Sequence, residues 1–129
     1  MRLLQMAFLK LNRLILLGGN YNPQYQFTYG DDTLYSLQKY NTDKLILAVD
    51  GIHPVRGLTS FLHLESTIDQ HMIHNATQVI VVADHTKLNR VSFSYIDKIE
   101  AIDTLITDSK ADKNIVSQLK EMGIDIIIV

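Results

Sequence analysis

Five short apolar runs constrain this chain more than any other feature. They are Leu14–Leu17, Leu45–Val49, Val79–Ala83, Thr104–Ile106 and Ile124–Val129. Each is rich in branched side chains, and most are unbroken. Strict alternation marks a strand with one wet face, whereas a continuous run marks one covered on both faces, the habit of parallel sheets. Helical spacing fills the gaps. Over residues 32–40, Leu34 and Leu37 lie one turn apart, with Asp31 or Asp32 available as a cap. Over 62–76, Leu64, Ile68, Met72 and Ala76 recur every four residues, predicting one buried stripe. Over 111–122, Ile115, Leu119 and Met122 share a face and Gly123 follows as a stop. Alternating strand and helix predicts a doubly wound α/β layer with right-handed crossovers.

Two segments break the rhythm. Residues 20–31 are polar and aromatic with turn formers, and residues 89–99 hold room for a short edge strand around Phe93–Ile96. Upstream, Arg2 followed by apolar residues imitates a targeting signal, but Lys10, Asn12 and Arg13 interrupt it and no small-residue cleavage site follows. A short helix feeding the Leu14–Leu17 strand is the expectation there.

The 129 residues suit one compact domain, since domains most often hold ~100–150 residues. A net charge of −2 argues against coating nucleic acid by charge alone. No apolar run reaches the ~18 residues that span a bilayer, so no membrane partner is expected. The absence of cysteine excludes a disulfide scaffold and thiolate-bound zinc, and it fits a cytoplasmic protein. His71 and His74 are i,i+3 neighbours and His53, His63 and His85 lie near loops, but no zincin spacing occurs, so no metal site is expected. There is no Gly-x-Ser-x-Gly elbow either. Among the tyrosines at 21, 25, 29, 35 and 40 the only basic residue is Lys39, which favours packing or a subunit contact over base stacking.

In an open parallel sheet, ligands bind beyond the carboxyl ends of the strands. There the chain places Gly18-Gly19-Asn20, Asp50-Gly51-Ile52 with Gly57-Leu58-Thr59-Ser60, Asp84-His85-Thr86-Lys87, and Thr107-Asp108. Gly57 lets a ligand approach the backbone, and a helix starting near residue 61 offers N–H groups to an anion. Thr59 and Ser60 add hydroxyls, Lys87 a cation suited to phosphate, and Asp50, Asp84 and Glu65 acceptors for sugar hydroxyls. The same residue types also serve as turn and cap residues wherever strands end.

In order, Leu16-Leu17-Gly18-Gly19, Phe27-Thr28-Tyr29-Gly30, Asp50-Gly51-Ile52, Gly57-Leu58-Thr59-Ser60, Met72-Ile73, Val82-Ala83-Asp84-His85-Thr86-Lys87 and Ile106-Thr107-Asp108 resemble the C-terminal sensor domain of the DeoR family, bacterial repressors of sugar metabolism. The resemblance runs from about residue 14 to the end. It implies a three-layer α/β fold with a mostly parallel sheet, like ribose-5-phosphate isomerase and the CoA transferases. It also implies a phosphorylated sugar effector held by Asp50, Gly51, Arg56, Gly57, Thr59, Glu65, Asp84 and Lys87, with no catalytic residue and no cofactor.

Asp50-Gly51 resembles the isomerase's Asp-Gly-Ala-Asp loop, Glu65 falls near its catalytic glutamate, and Ala83–Lys87 resembles its Ala-Asp-x-Ser-Lys segment. Arg56 stands where the isomerase has a lysine, and the second loop aspartate is replaced by His53 or lost. Isomerisation needs a base and cations placed at a developing oxyanion, whereas binding needs only charge and hydrogen bonds. A sensor is therefore expected rather than an enzyme; the alternatives are an isomerase-like enzyme and a truncated oligomeric remnant. Where the family usually carries a basic residue after the glycine loop, this chain has Asp69 and Gln70, either a change in ligand choice or a surface position. The family's sensor domain begins earlier, with a strand and a Gly-Thr-Thr loop. Residues 1–129 are thus expected to be a single, partial sensing domain, incomplete at its N-terminus and prone to homo-oligomerise. DNA contact is expected only through a helix-turn-helix outside this chain.

Overall fold

The computed structural model describes residues 13–129. The helix expected before residue 12 lies outside them. Nine strands and three α-helices follow. A hairpin of β1 (Asn20–Asn22) and β2 (Phe27–Tyr29) leads into α1 (Asp31–Leu37). Next come β3 (Thr42–Leu47), β4 (Gly51–His53), β5 (Gly57–Ser60), α2 (His63–Asn75) and β6 (Ala76–Val82). The chain closes with β7 (Ser94–Asp97), β8 (Thr104–Thr107), α3 (Lys113–Glu121) and β9 (Asp125–Ile128).

Strands β3, β6, β8 and β9 form a parallel four-stranded sheet in that order, so the α/β class expected from the apolar runs holds. The order is sequential, with no reversal among the described residues. Strands β4, β5 and β7 form a second, antiparallel sheet. One hydrophobic cluster joins the two, with Val81 and Leu105 from the parallel sheet, Ile52, Leu58 and Ile96 from the antiparallel one, and Leu119 from α3. Each of these is essentially sealed from water and contributes about 1.5–3 kcal/mol by that burial.

Several expectations need correcting. Leu14–Leu17 is not a strand: no neighbouring strand among the described residues takes up its backbone hydrogen bonds, and Leu14, Ile15 and Leu16 are exposed. Among the described residues, the parallel sheet is sealed on one face only. On the other, the β3–β6 register aligns exposed Ile46 with half-buried Ile80, and Val82 is exposed. The α2 stripe is also turned. Successive four-residue steps drift about 40° around a helix, so Leu64 points to water while Ser66, Ile68, Asp69 and Ile73 face inward. At α1, Gly30 is the N-cap, and Asp31 and Asp32 occupy the first turn instead.

Other elements follow their local chemistry. Asp112 caps α3 by accepting hydrogen bonds from the Asn114 and Ile115 N–H groups at 2.8 and 3.3 Å. The residue 20–31 segment becomes a hairpin because Asn22 Oδ1 accepts from the Gln24 and Tyr25 N–H groups at 3.0 and 3.1 Å, an Asx turn that closes it.

Candidate functional site

Beyond the carboxyl end of β3, the chain turns through Asp50 into the antiparallel sheet. The Asp50 N–H donates to the Thr59 carbonyl at 3.0 Å, bringing Ser60 and the start of α2 back over the strand end. Asp50 Oδ2 then accepts from the Phe61 N–H at 2.9 Å, and its Oδ1 lies 3.6 Å from Lys87 Nζ. Ser60 is buried and its Oγ lies 2.7 Å from Glu65 Oε2 and 3.3 Å from Asp50 Oδ2. A hydroxyl has one proton to give, and the shorter contact assigns it to Glu65. The same Oγ accepts from the Leu62 N–H at 3.2 Å. Three of the expected site residues, Asp50, Glu65 and Lys87, thus line one cavity of about 310 Å³ with Tyr25 and Phe61.

The other expected residues lie elsewhere. Arg56 and Gly57 are at the tip of the β4–β5 hairpin and do not line that cavity. Gly57 has φ 77°, and a Cβ there would stand 2.2 Å from the Asp97 carbonyl oxygen. Its freedom serves the turn against β7, which differs from the ligand approach expected of it. Gly51 is pinned in the same way, since a Cβ would meet Thr59 Oγ1 at 2.4 Å and the Arg90 carbonyl at 2.6 Å. Thr59 is buried, and its hydroxyl accepts from the Ser92 N–H at 2.8 Å. His53 closes the hairpin turn, its Nδ1 accepting from the Val55 and Arg56 N–H groups, both at 3.1 Å.

Asp84 caps the 3₁₀ turn His85–Lys87, accepting from the Thr86 hydroxyl and, at 2.8 Å, from the Thr86 N–H. These bonds, the hydroxyl first, hold its carboxyl below the usual range. Asp108 accepts from the His85 N–H and side chain, both at 2.9 Å, and its pKa is lowered to about 2, chiefly by the backbone bond. Asp84, His85 and Asp108 could each turn a ligand atom toward a metal, within 4.8 Å of one another. Their facing atoms are already engaged, however: Asp84 accepts from Thr86, and the His85 Nδ1 that faces Asp108 carries the proton, because a carboxylate only accepts.

A second and larger cavity, of about 610 Å³, shares Ala48 and Glu65 with the first. Its wall is mostly apolar, from Ile15–Leu17, Phe27, Leu47, Ile68 and Met72, with the hydroxyls of Thr28 and Thr33. Asp69 lines it as well. This residue is only 4% exposed, which excludes the surface position left open by the sequence. Its Oδ2 has no hydrogen-bond partner among the described residues. Burial first, then the charges of Glu65 and Asp50, push its pKa up to about 8 from an ordinary 3.8. Ser60 stands where the sequence offers a hydroxyl to the site, whereas Asp69 does not stand out by residue pattern: a buried acid on a helix reads as a solvated position until the helix phase is known. Two tyrosines of the aromatic segment, Tyr21 and Tyr25, line the two cavities.

The profile of the DeoR C terminal sensor domain matches residues 3–109. This chain belongs to the DeoR family. It is 34% identical over 116 residues to the putative aga operon transcriptional repressor of Escherichia coli O157:H7, covering 90% of this chain and 43% of that protein. It is 32% identical over 115 residues to the HTH-type transcriptional repressor GlcR of Bacillus subtilis, covering 89% and 44%. It is 26% identical over 114 residues to the glycerol-3-phosphate regulon repressor of Escherichia coli K12, covering 88% and 45%. The chain therefore spans less than half the length of these relatives, and what it shares with them is the effector-sensing domain of a transcriptional regulator. No helix among the described residues is long and apolar enough to cross a membrane.

Proposed function

We propose that this DeoR sensor domain binds a phosphorylated sugar at the carboxyl end of β3. In the whole cytoplasmic protein, binding would shift an interface between identical subunits and so change the grip of a DNA-binding segment outside this chain. The observation that carries the reading is Lys87, the one cation that the described residues place in the wall of the strand-end cavity, beside the acceptors Asp50 and Glu65. An ammonium suits a phosphate as a point charge. Asp50 and Glu65, already oriented by the Phe61 N–H and by Ser60, suit sugar hydroxyls. Gly51, Gly57 and Thr59 would serve by holding the hairpin that shapes the cavity, and Asp84 by capping the turn that carries Lys87.

Calorimetric titration with a panel of sugar phosphates tests this. Saturable binding weakened at least about tenfold by Lys87→Ala is expected. Absence of binding across the panel by the full-length regulator would overturn it. Ketose formation from ribose 5-phosphate, abolished by Glu65→Gln, would instead support an isomerase.

A further inference from the structure

The ammonium of Lys87 rides on a flexible stem, and its attraction to Asp50 at 3.6 Å is loose, so its place depends on how its backbone is held. That backbone is the three-residue 3₁₀ turn His85–Lys87, and a turn this short has little hydrogen bonding of its own. None of its side chains is buried, so packing does not hold it either. Asp84 holds it from within the chain, through the Thr86 N–H and hydroxyl, while the Lys87 N–H donates to the Asp84 carbonyl at 3.1 Å. Buried Leu88 follows, bridged to Ile52.

The remaining hold comes from another strand. Asp108 follows β8, the neighbour of β6, and its carboxylate takes both donors of His85: the N–H at 2.9 Å and the ring Nδ1 at 2.9 and 3.0 Å. Paired bonds to one carboxylate fix orientation as well as position, and its charge makes them stronger than neutral ones. The carboxylate is itself aimed by the Lys110 N–H, which donates to Oδ1 at 2.8 Å. Asp108 does not line the cavity that Lys87 lines, and of the three turn residues only Lys87 does. What the clamp delivers to the site is therefore the ammonium alone. We propose that Asp108 is a positioning residue of the effector site, clamping the turn through His85 and so aiming Lys87 at the phosphate. The ends of β3, β6 and β8 then act on one ligand, through Asp50, Asp84 and Asp108 in turn. This rests on the sugar-phosphate reading above and adds a residue that never touches the ligand. Without the clamp the turn must be ordered at the moment of binding, which costs affinity.

The test is a double-mutant cycle on the full-length regulator, titrated calorimetrically with the tightest binder among pentose 5-phosphates and hexose 6-phosphates. Asp108→Ala is expected to weaken binding about five- to tenfold. Added to Lys87→Ala, the same change should weaken the residual binding less than about twofold, because no ammonium is left to aim. A purely structural staple would weaken binding by the same factor in both backgrounds. That result, or unchanged binding in Asp108→Ala, overturns this inference while leaving the sugar-phosphate reading standing. Absence of binding by the unaltered regulator across the panel removes both. Should Asp108→Ala fail to fold, His85→Ala removes the ring bond and keeps the backbone one. It should weaken binding about threefold, an effect that disappears in the Lys87→Ala background; equal weakening in both backgrounds overturns the inference.

Discussion

The two cavities at the end of β3 share a wall yet differ in how their polar groups are settled. In the smaller one the acids and hydroxyl are accounted for: Asp50 by the Phe61 N–H, Glu65 by Ser60, and Ser60 by the Leu62 N–H. Lys87 sits 3.6 Å from Asp50, close enough to be attracted but too far for a firm hydrogen bond. In the larger one an acid is sealed in without a donor among the described residues. The first arrangement is preorganised, so a ligand there meets groups already aimed. The second is held against its own stability, because burying an unpaired acid costs free energy that only protonation or a partner relieves. One chain thus shows both how a site is prepared and how it is left incomplete.

Removing the sealed acid breaks this contrast most sharply. The unfolded chain loses the Asp69 proton above about pH 4, whereas the folded chain keeps it to about pH 8. The native state therefore binds more protons in between, and stability falls as pH rises through that window, by up to roughly 1.4 kcal/mol per pH unit from this group. Denaturant unfolding across pH 4–8 should show that decline. Asp69→Asn should flatten it and raise stability at pH 8 by several kcal/mol on the same linkage; a steep decline in the variant would end the account. Gly57→Ala comes next. It pairs a positive φ with a clash against the Asp97 carbonyl, and should destabilise by about 2–3 kcal/mol in chemical denaturation.

Smaller effects sharpen the prepared side. Ser60→Ala removes the donor to Glu65 and the acceptor for the Leu62 N–H, and should cost about 1–2 kcal/mol of stability as well as weakening sugar-phosphate binding. Lys87→Ala should change stability by less than about 0.5 kcal/mol, since an ion pair at this separation contributes little. A large loss of stability from Lys87→Ala would show that the cation is structural.

The parallel sheet is legible in the sequence because four of the apolar runs, Leu45–Val49, Val79–Ala83, Thr104–Ile106 and Ile124–Val129, overlap the strands that form it. The antiparallel sheet is legible only in β7, which falls where a short edge strand around Phe93–Ile96 is expected. Its strands are three or four residues long, and Gly51–His53 and Gly57–Ser60 contain glycines, a threonine and a serine that read as turns. They are strands because their neighbours bury them, with all of Gly57–Ser60 sealed, and burial of that kind comes from tertiary contact that no local pattern reports. Leu14–Leu17 fails in the opposite sense: local composition favours a strand, but pairing requires a neighbour. In the site, Asp50, Glu65 and Lys87 are legible as polar residues following strands. Asp69 is not, because its role depends on the rotation of α2, and a four-residue apolar row misstates that rotation.

Helix α2 ends at Asn75 and β6 begins at Ala76, with no connecting loop. Asn75 Nδ2 also donates to the Leu37 carbonyl at 3.2 Å, tying the same junction to α1. The helix that carries Glu65 and Asp69 is thus rigidly coupled, without slack, to a strand held between β3 and β8. A roll of α2 has no linker in which to dissipate. It must load the central strand of the sheet, so whatever tightens around those two acids is felt as strain across the whole platform.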